Sequence, residues 1–254
     1  MRLDIFLVEN NFYKSRNKAS EGILRGEVFV NGMLCKKAST QIDTDSVVTV
    51  KQEDEPFVSL GGNKLKKAID AINPVIKGKH FIDIGASTGG FTDCLLRNGA
   101  GRVYCVDVAE NLLDERIACD DRVVVMDKTN ARYLTVESFE EPVDAIVVDC
   151  SFISLEYILP PLVPLIKNDG YLLALIKPQF ELKERIKLKN GILRDNSMRL
   201  KILRRIYDFS LQCGLSPQEI VDVTADKNKN VEYIIYLNKS DKRVVFDSLI
   251  KNLK

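Results

Sequence analysis

The stretch Phe81-Ile-Asp-Ile-Gly-Ala-Ser-Thr-Gly-Gly-Phe-Thr-Asp93 runs from a short apolar strand through a glycine turn into a helix. Gly85, Gly89 and Gly90 permit a tight turn and let a ligand approach the backbone, and Ser87 or Thr88 can cap the helix that follows. A second acid, Asp107, ends the next apolar run, Val103-Tyr-Cys-Val-Asp107. It follows Asp83 by about 24 residues, the spacing at which a doubly wound fold sets its ribose-binding carboxylate. The whole reads as a cofactor cradle.

Outward from this stretch, apolar strands and amphipathic helices alternate. Strands are predicted at 80–84, 102–107, 122–126, 144–149, 171–177, 219–223 and 231–237, and helices at 90–98, 110–118, 129–138, 154–166 and 195–213. That order predicts an α/β, Rossmann-like parallel sheet, doubly wound, with helices on both faces. Ligands then gather at the carboxyl ends of the strands, where Met126-Asp127, Asp149 and Lys177 fall.

Composition limits the function classes. The 254 residues are 45% hydrophobic and 29% charged with a net charge of +1, which suits one ordinary core plus a small appended domain. No apolar run reaches the roughly 18–20 residues that span a bilayer, and Asp4 and Glu9 interrupt the N-terminus, so neither a membrane span nor a signal peptide is expected and the chain reads as cytoplasmic. Six scattered cysteines without a C-x-x-C pair, and a single histidine, His80, read as reduced packing residues rather than metal ligands.

Residues 1–52 form a separate α+β unit. Met1–Val8 and Ser15–Leu24 have helical apolar spacing, and Ser15 is placed to cap the second helix. Val28-Phe-Val30 with Asn31-Gly32 reads as a hairpin with a type I′ turn, and Ser46–Val50 as a further strand. Arg16, Lys18 and Arg25 lie on or beside the second helix; charge alone reads them as a solvated face. Residues 53–58, acidic with Pro56, form a linker, and 59–254 the larger domain. A helix there carries Leu65, Ala68, Ile69 and Ile72 and stops at Asn73-Pro74. Lys64 stands at its start, directly after two glycines, where the helix dipole disfavours a cation.

The cradle spacing, Gly85-x-x-x-Gly89-Gly90, differs from the G-x-G-x-x-G of a dinucleotide site. Asp83-x-Gly-Ala-Ser-Thr-Gly-Gly-Phe91 instead resembles the S-adenosylmethionine motif of Rossmann-like methyltransferases. That resemblance implies that Gly85, Ala86, Ser87, Thr88, Gly89, Gly90 and Phe91 hold the methionine part, with Asp107 on the ribose and Asp127 near the adenine. Asp144–Leu155 lacks the Asn-Pro-Pro-Tyr type sequence of base-amine methyltransferases, and no cysteine is placed as a base-attacking thiol, so the expected acceptor is a hydroxyl. An alcohol must lose its proton as the methyl group transfers in line, which calls for a base within hydrogen-bond reach. Lys177 is the candidate, reading equally as a charge at the exposed end of a strand; a lysine serves only as the neutral amine, which burial beside a second cation such as Lys64 would favour. Asp149 reads equally as a helix cap, and Glu232 opens an apolar strand where burial demands a partner.

Arg2-Leu-Asp, Ser15-Arg-x-Lys-Ala, Gly26-x-Val-x-Val-Asn-Gly32 and Asp45-x-Val-x-Val together resemble the S-four-type RNA-binding domain, which implies that Arg16, Lys18 and Arg25 contact RNA phosphates. Lys64, Asp149, Lys177 and Glu232 match the Lys-Asp-Lys-Glu set of FtsJ-type ribose 2′-O-methyltransferases. Ser59-x-Gly-Gly-x-Lys-Leu65, Asp83–Leu95, Thr129-Asn-Ala-Arg132, Ser151–Leu155 and Ile176–Glu181 resemble the TlyA, or haemolysin A-like, family across both domains. The resemblance implies a ribosomal RNA (cytidine-2′-O)-methyltransferase acting on ribosomal RNA or subunits, with S-adenosylmethionine as cofactor; the chain is also expected to use no metal and to be a monomer. Lys177 would be the base, Asp149 and Lys64 would tune it and orient the hydroxyl, and Glu232 would complete the network. Leu60 replaces the family's usual arginine, Val108–Leu112 its Gly-x-x-Gln-Leu, and Lys229 a glycine. A basic run from Lys183 to Arg205, with Lys187 and Lys189, lies just past Lys177 and is expected to form a phosphate-binding rim. Two other classes are an RNA-binding module with a degenerate methyltransferase domain, and a membrane-active haemolysin, for which no helix here has a long apolar face.

Overall fold

The structure is a computed structural model that describes every residue except 11, 14, 44, 51–55, 141, 184–186, 225–227, 252 and 254, and the backbone but not the side chain of Arg25. Residues 53–55, half of the expected linker, therefore lie outside the described residues. Two compact units are present, Met1–Pro56 and Phe57–Lys254.

In the first unit, α1 (Leu3–Glu9) and α2 (Arg16–Arg25) pack beside a three-stranded antiparallel sheet of β1 (Val28–Val30), β2 (Met33–Leu34) and β3 (Val48–Val50), with β1 in the centre. Ser15 caps α2, its Oγ accepting from the Lys18 amide at 3.3 Å, and Gly26 ends it in the left-handed region. Asn31 and Gly32 both have positive φ (50° and 78°), the requirement of a type I′ turn. Leu3, Leu7, Ala19, Ile23, Val28 and Ile42 form the small core.

The second unit begins with α3 (Leu60–Ile72), which Ser59 caps and Asn73 ends in the left-handed region. There follow β4 (His80–Ile84), α4 (Gly90–Arg97), β5 (Arg102–Val106), α5 (Glu115–Ala118), β6 (Val123–Met126) and β7 (Val143–Val148). The chain continues through α6 (Leu155–Leu162), β8 (Ile166–Ile176), α7 (Asn196–Gln212), β9 (Ser216–Asp222), β10 (Tyr233–Asn238) and α8 (Phe246–Ile250). Among the described residues the strands form one seven-stranded sheet in the order β6-β5-β4-β7-β8-β10-β9. Alternate residues feed cores on its two faces: Phe81, Ala145 and Val147 on one, Ile82, Ile84, Ile146 and Val148 on the other.

The sheet is not parallel throughout, as the alternation predicts. β10 runs antiparallel to both β8 and β9. α7 supplies the crossover that a parallel return needs between β8 and β9, whereas β9 reaches β10 with no described helix between them, so the chain reverses. The reversal brings the start of β10 to the edge where the parallel strands end.

The helices expected at 110–118 and 129–138 also shrink, to α5 and to two 3-10 turns at Ala131–Tyr133 and Val136–Ser138. Asp107 and Asp127 draw the Ala109 and Asn111 amides out of helical pairing, and Asn111 takes a positive φ. Asn130 accepts from the Arg132 amide and starts a turn instead of a longer helix. Pro164 falls within a closing 3-10 turn, Val163–Leu165, that ends the helix expected over 154–166.

Candidate active site

The cradle is built by close approach. Gly85 has φ 78°, and a Cβ there would lie 2.8 Å from the Asp149 carbonyl oxygen. Gly89, φ 90°, is the N-cap of α4, and a Cβ on Gly90 would overlap Ser59 Oγ. Neither Ser87 nor Thr88 caps α4, contrary to expectation; the N-cap position is Gly89, which has no side chain to make the bond. Beside the turn lies a cleft of about 390 Å³ whose walls include Gly85, Ser87, Asp107, Asn130 and Asp149.

Asp107 is held by two backbone amides, Ser87 to Oδ2 (2.9 Å) and Ala109 to Oδ1 (3.0 Å), and each oxygen retains a lone pair for a ligand hydroxyl. Asp127 does not line the cleft; its Oδ2 accepts from the Asn111 amide at 3.0 Å and shapes the wall from behind. Ala86, Gly89, Gly90 and Phe91 are buried beneath the cleft, and Thr88 is exposed.

Beside the cradle, four side chains pair two by two. Lys177 Nζ lies 2.5 Å from Asp149 Oδ1, and Lys64 Nζ lies 2.7 Å from Glu232 Oε2. Each ammonium thus has its own carboxylate. Asp149 and Lys177 each lie one residue past the ends of β7 and β8, and Glu232 lies one residue before β10 rather than inside it. The β10–β8 register pairs Tyr233 with Ile176, so Glu232 stands opposite Lys177. On α3, a Cβ at Gly61 would come within 3.7 Å of Asp149 Oδ2, which places the helix carrying Lys64 against the same carboxylate.

Asp149 is not a helix cap, since Ser154 takes that role for α6. The Lys177 side chain is only 10% exposed, which also removes its reading as a solvated charge. Asp149 Oδ1 meets this ammonium as an ion-pair contact outside hydrogen-bond geometry, while Lys177 Nζ donates to Ser151 Oγ at 2.8 Å. Glu181 latches the turn after Lys177, accepting from Ser154 Oγ (2.6 Å) and the Leu155 amide (2.9 Å) and pairing with Arg205 (3.2 Å). A second cleft, of about 360 Å³, has Lys64 and Glu232 in its walls with Leu60, Gln179 and Asn190.

Residues 57–239 match the model of the FtsJ-like methyltransferases, and residues 1–48 that of the S4 domain. The chain is a member of the TlyA family of FtsJ-like methyltransferases. It is 40% identical over 239 residues to the "Putative rRNA methyltransferase YqxC" of Bacillus subtilis, covering 93% of this chain and 85% of that one. It is 34% identical over 246 residues to the 16S/23S rRNA (cytidine-2′-O)-methyltransferase TlyA of Mycobacterium tuberculosis, covering 96% and 92%. Among solved structures, the "Putative hemolysin from Streptococcus thermophilus" superposes with a TM-score of 0.72 at 35% identity, over 99% of this chain and 94% of that one.

Three features of this methyltransferase escape sequence reasoning. Ser151, within a quoted motif but without an assigned role, is a hydrogen-bond partner of Lys177. Phe152 follows it with φ 63°, is 87% exposed, and packs its ring 4.6 Å from that of Phe180. Asn230 accepts from the Leu193 amide (2.8 Å) and donates to the Gly191 carbonyl (2.9 Å), pinning the turn at Lys189–Gly191 to the segment that carries Glu232. Only an asparagine two residues before Glu232 hinted at it.

The basic candidates divide. Arg16 and Lys18 are already paired, with Asp4 and Glu21 respectively, each at 2.9 Å. The Arg25 side chain, Arg185 and much of the altered loop before Lys229 lie outside the described residues. Lys187 and Lys189 are exposed.

Asp83 lies fully buried beneath the cradle, one oxygen accepting from Thr92 Oγ1 at 2.6 Å and the other without a partner. Burial pushes its carboxyl up to about 7, aided by the neighbouring Asp149 and Asp107 charges and opposed by the Thr92 bond. An unfolded aspartate titrates near ~3.9, so between about pH 4 and 7 the folded chain holds a proton that the unfolded chain has lost. This group's stabilisation is therefore complete below about pH 4 and declines as pH rises to about 7, by an amount on the order of a few kcal/mol. Denaturant unfolding of the wild type and Asp83→Asn at pH 5 and pH 8 should show the wild type losing ground to the variant at the higher pH. Parallel pH profiles would overturn this assignment.

Proposed function

We propose that this chain transfers the methyl group of S-adenosylmethionine to the ribose 2′-hydroxyl of a cytidine in ribosomal RNA. The observation that carries the reading is the pair of ion pairs, Lys177–Asp149 and Lys64–Glu232, at the edge of the sheet that also holds the cradle. The cradle fits the cofactor: Gly85 and Gly90 leave room only for backbone, and Asp107 offers two oriented oxygens to ligand hydroxyls. When bound, S-adenosylmethionine supplies an electrophilic sulfonium methyl group.

In this reading Lys177, as the free amine, accepts the ribose hydroxyl proton while Asp149 and Ser151 hold its Nζ in place. Lys64, oriented by Glu232, directs an ammonium toward the acceptor nucleotide in the second cleft. Phe152 offers an exposed aromatic face on which an unstacked base can rest. The S4-like unit docks the RNA. The chain acts as a cytoplasmic monomer without a metal; among the described residues no helix is long and apolar enough to cross a membrane.

Incubation with labelled S-adenosylmethionine and ribosomal subunits from cells lacking the gene should label RNA at a cytidine ribose. Label found on a base, or none with either subunit, would overturn the proposal. Reversing the charge of Lys187 and Lys189 is expected to weaken RNA binding and to lower the slope of log affinity against log salt by about one for each phosphate no longer neutralised. An unchanged slope removes them from the interface.

A further inference from the structure

The Gln179 side chain carries a buried oxygen, Oε1, with no hydrogen-bond partner among the described residues. A native fold keeps such a group where strain is stored or where a partner arrives from outside. Loose structure does not account for it here. Gln179 sits in the 3-10 turn Pro178–Phe180, whose first residue is a buried proline with φ fixed by its ring, and whose Phe180 amide donates to the Lys177 carbonyl at 2.8 Å. Glu181 fastens the end of that turn to the start of α6. The amide is therefore carried on a fixed turn, within about 7 Å of chain from Lys177.

The cleft that Gln179 lines also has Lys64 and Glu232 in its walls. Leu60 and Ile192 give it apolar surface, and Asn190 and Asn230 bring two further carboxamides. Asn230 is committed at both ends to the backbone of Gly191 and Leu193, and Glu232 is committed to Lys64. A nucleobase suits such a cleft, being apolar on its faces and polar along its edge, and about 360 Å³ lies within the roughly 300–1,000 Å³ of small-molecule sites. Phosphates only accept hydrogen bonds, and the acceptor's 2′-hydroxyl is committed to Lys177. The donor left to that nucleotide is the N–H of its base.

We propose that Gln179 reads the acceptor base, its Oε1 accepting from the exocyclic N4 amine of cytosine and its Nε2 donating to N3. The inference rests on the ribose-methylation reading above and deepens it by naming the residue that separates cytidine from uridine. Uracil presents O4 and N3–H along the same edge, so the amide must rotate to meet it. Rotation buries the NH₂ end where Oε1 now lies, and uracil O4 takes only one of its two N–H groups. The other N–H is left buried and unpaired, whereas an amide oxygen is satisfied by the single bond from the cytosine amine.

Labelled methyl transfer should be measured with ribosomal subunits from cells lacking the gene, carrying either the natural cytidine or a uridine at the labelled position. For the unaltered chain, kcat/KM on uridine is expected to be at least about tenfold lower, the scale of one buried N–H left unpaired. Gln179→Leu removes donor and acceptor together. It should lower kcat/KM on cytidine about tenfold and bring the two substrates within about threefold of each other. Gln179→Glu keeps an acceptor for the N4 amine but sets a carboxylate against uracil O4, so its preference for cytidine should at least equal that of the unaltered chain. Gln179 does not line the cofactor cleft, so calorimetric binding of S-adenosylmethionine checks that each variant is folded. Should the leucine variant fail that check, the glutamate variant carries the test. A merely structural role lowers transfer to both substrates alike. An unchanged cytidine-to-uridine ratio in Gln179→Leu, a ratio falling towards one in Gln179→Glu, or equal use of both substrates by the unaltered chain overturns the proposal. No labelling of the cytidine subunits by the unaltered chain overturns instead the methylation reading on which it rests.

Discussion

Lys177→Ala is expected to lower methyl transfer by about 10²–10⁴-fold, the span of a lost general base, while S-adenosylmethionine binds nearly as before. Lys177 does not line the cofactor cleft, so calorimetric affinity for the cofactor should change little. Asp149 would lose its ion partner, at a stability cost of up to about 3–5 kcal/mol, moderated by its access to the cleft. Lys177→Arg separates proton transfer from charge. An arginine keeps the cation beside Asp149 but does not deprotonate, so it should be as inactive as alanine. Substantial activity in the arginine variant would show that the site needs a cation there and not a base.

Gly85→Ala should damage the cradle more than its size suggests. The residue sits at φ 78°, where an L side chain costs about 1–2 kcal/mol, and its Cβ would press to 2.8 Å on the Asp149 carbonyl oxygen. Backbone cannot swing aside as a flexible side chain can. The strand ends carrying Gly85 and Asp149 must part, which moves the cofactor floor and the Lys177 partner together. A stability loss of about 2–4 kcal/mol and at least tenfold weaker cofactor binding are expected. Gly191→Ala is the control: φ is 69°, but nothing lies within 4 Å of the added methyl, so it should show the conformational cost alone. Wild-type cofactor affinity in Gly85→Ala would mean that the two strand ends tolerate separation.

Much of the fold was legible because its signals are local. Alternation of apolar strands and helices, Ser15 at a cap, Asn31-Gly32 at a turn and Asn73-Pro74 at a stop each act within a few residues. The regions at 110–118 and 129–138 misled because their helical spacing is real, but Asp107 and Asn130 each take the backbone amide two residues on, and Asp127, brought up from the end of the next strand, takes that of Asn111.

The candidate site divides along the same line. From the residues alone came the cradle with its Gly85-x-x-x-Gly89-Gly90 spacing, Lys64 as a cation at a disfavoured helix start, and Asp149, Lys177 and Glu232 as charges at the ends of apolar strands; their grouping as one set came from the family resemblance. Which charge meets which depends on strand direction. The reversal of β10 sets Glu232 opposite Lys177, the Gly61–Asp149 approach brings up the helix bearing Lys64, and the resulting pairs are Lys177 with Asp149 and Lys64 with Glu232. A sequence carries the periodicity that makes an element because that is a property of neighbours along the chain. It does not carry the pairing of residues 168 positions apart, as Lys64 and Glu232 are, because that follows from topology and packing.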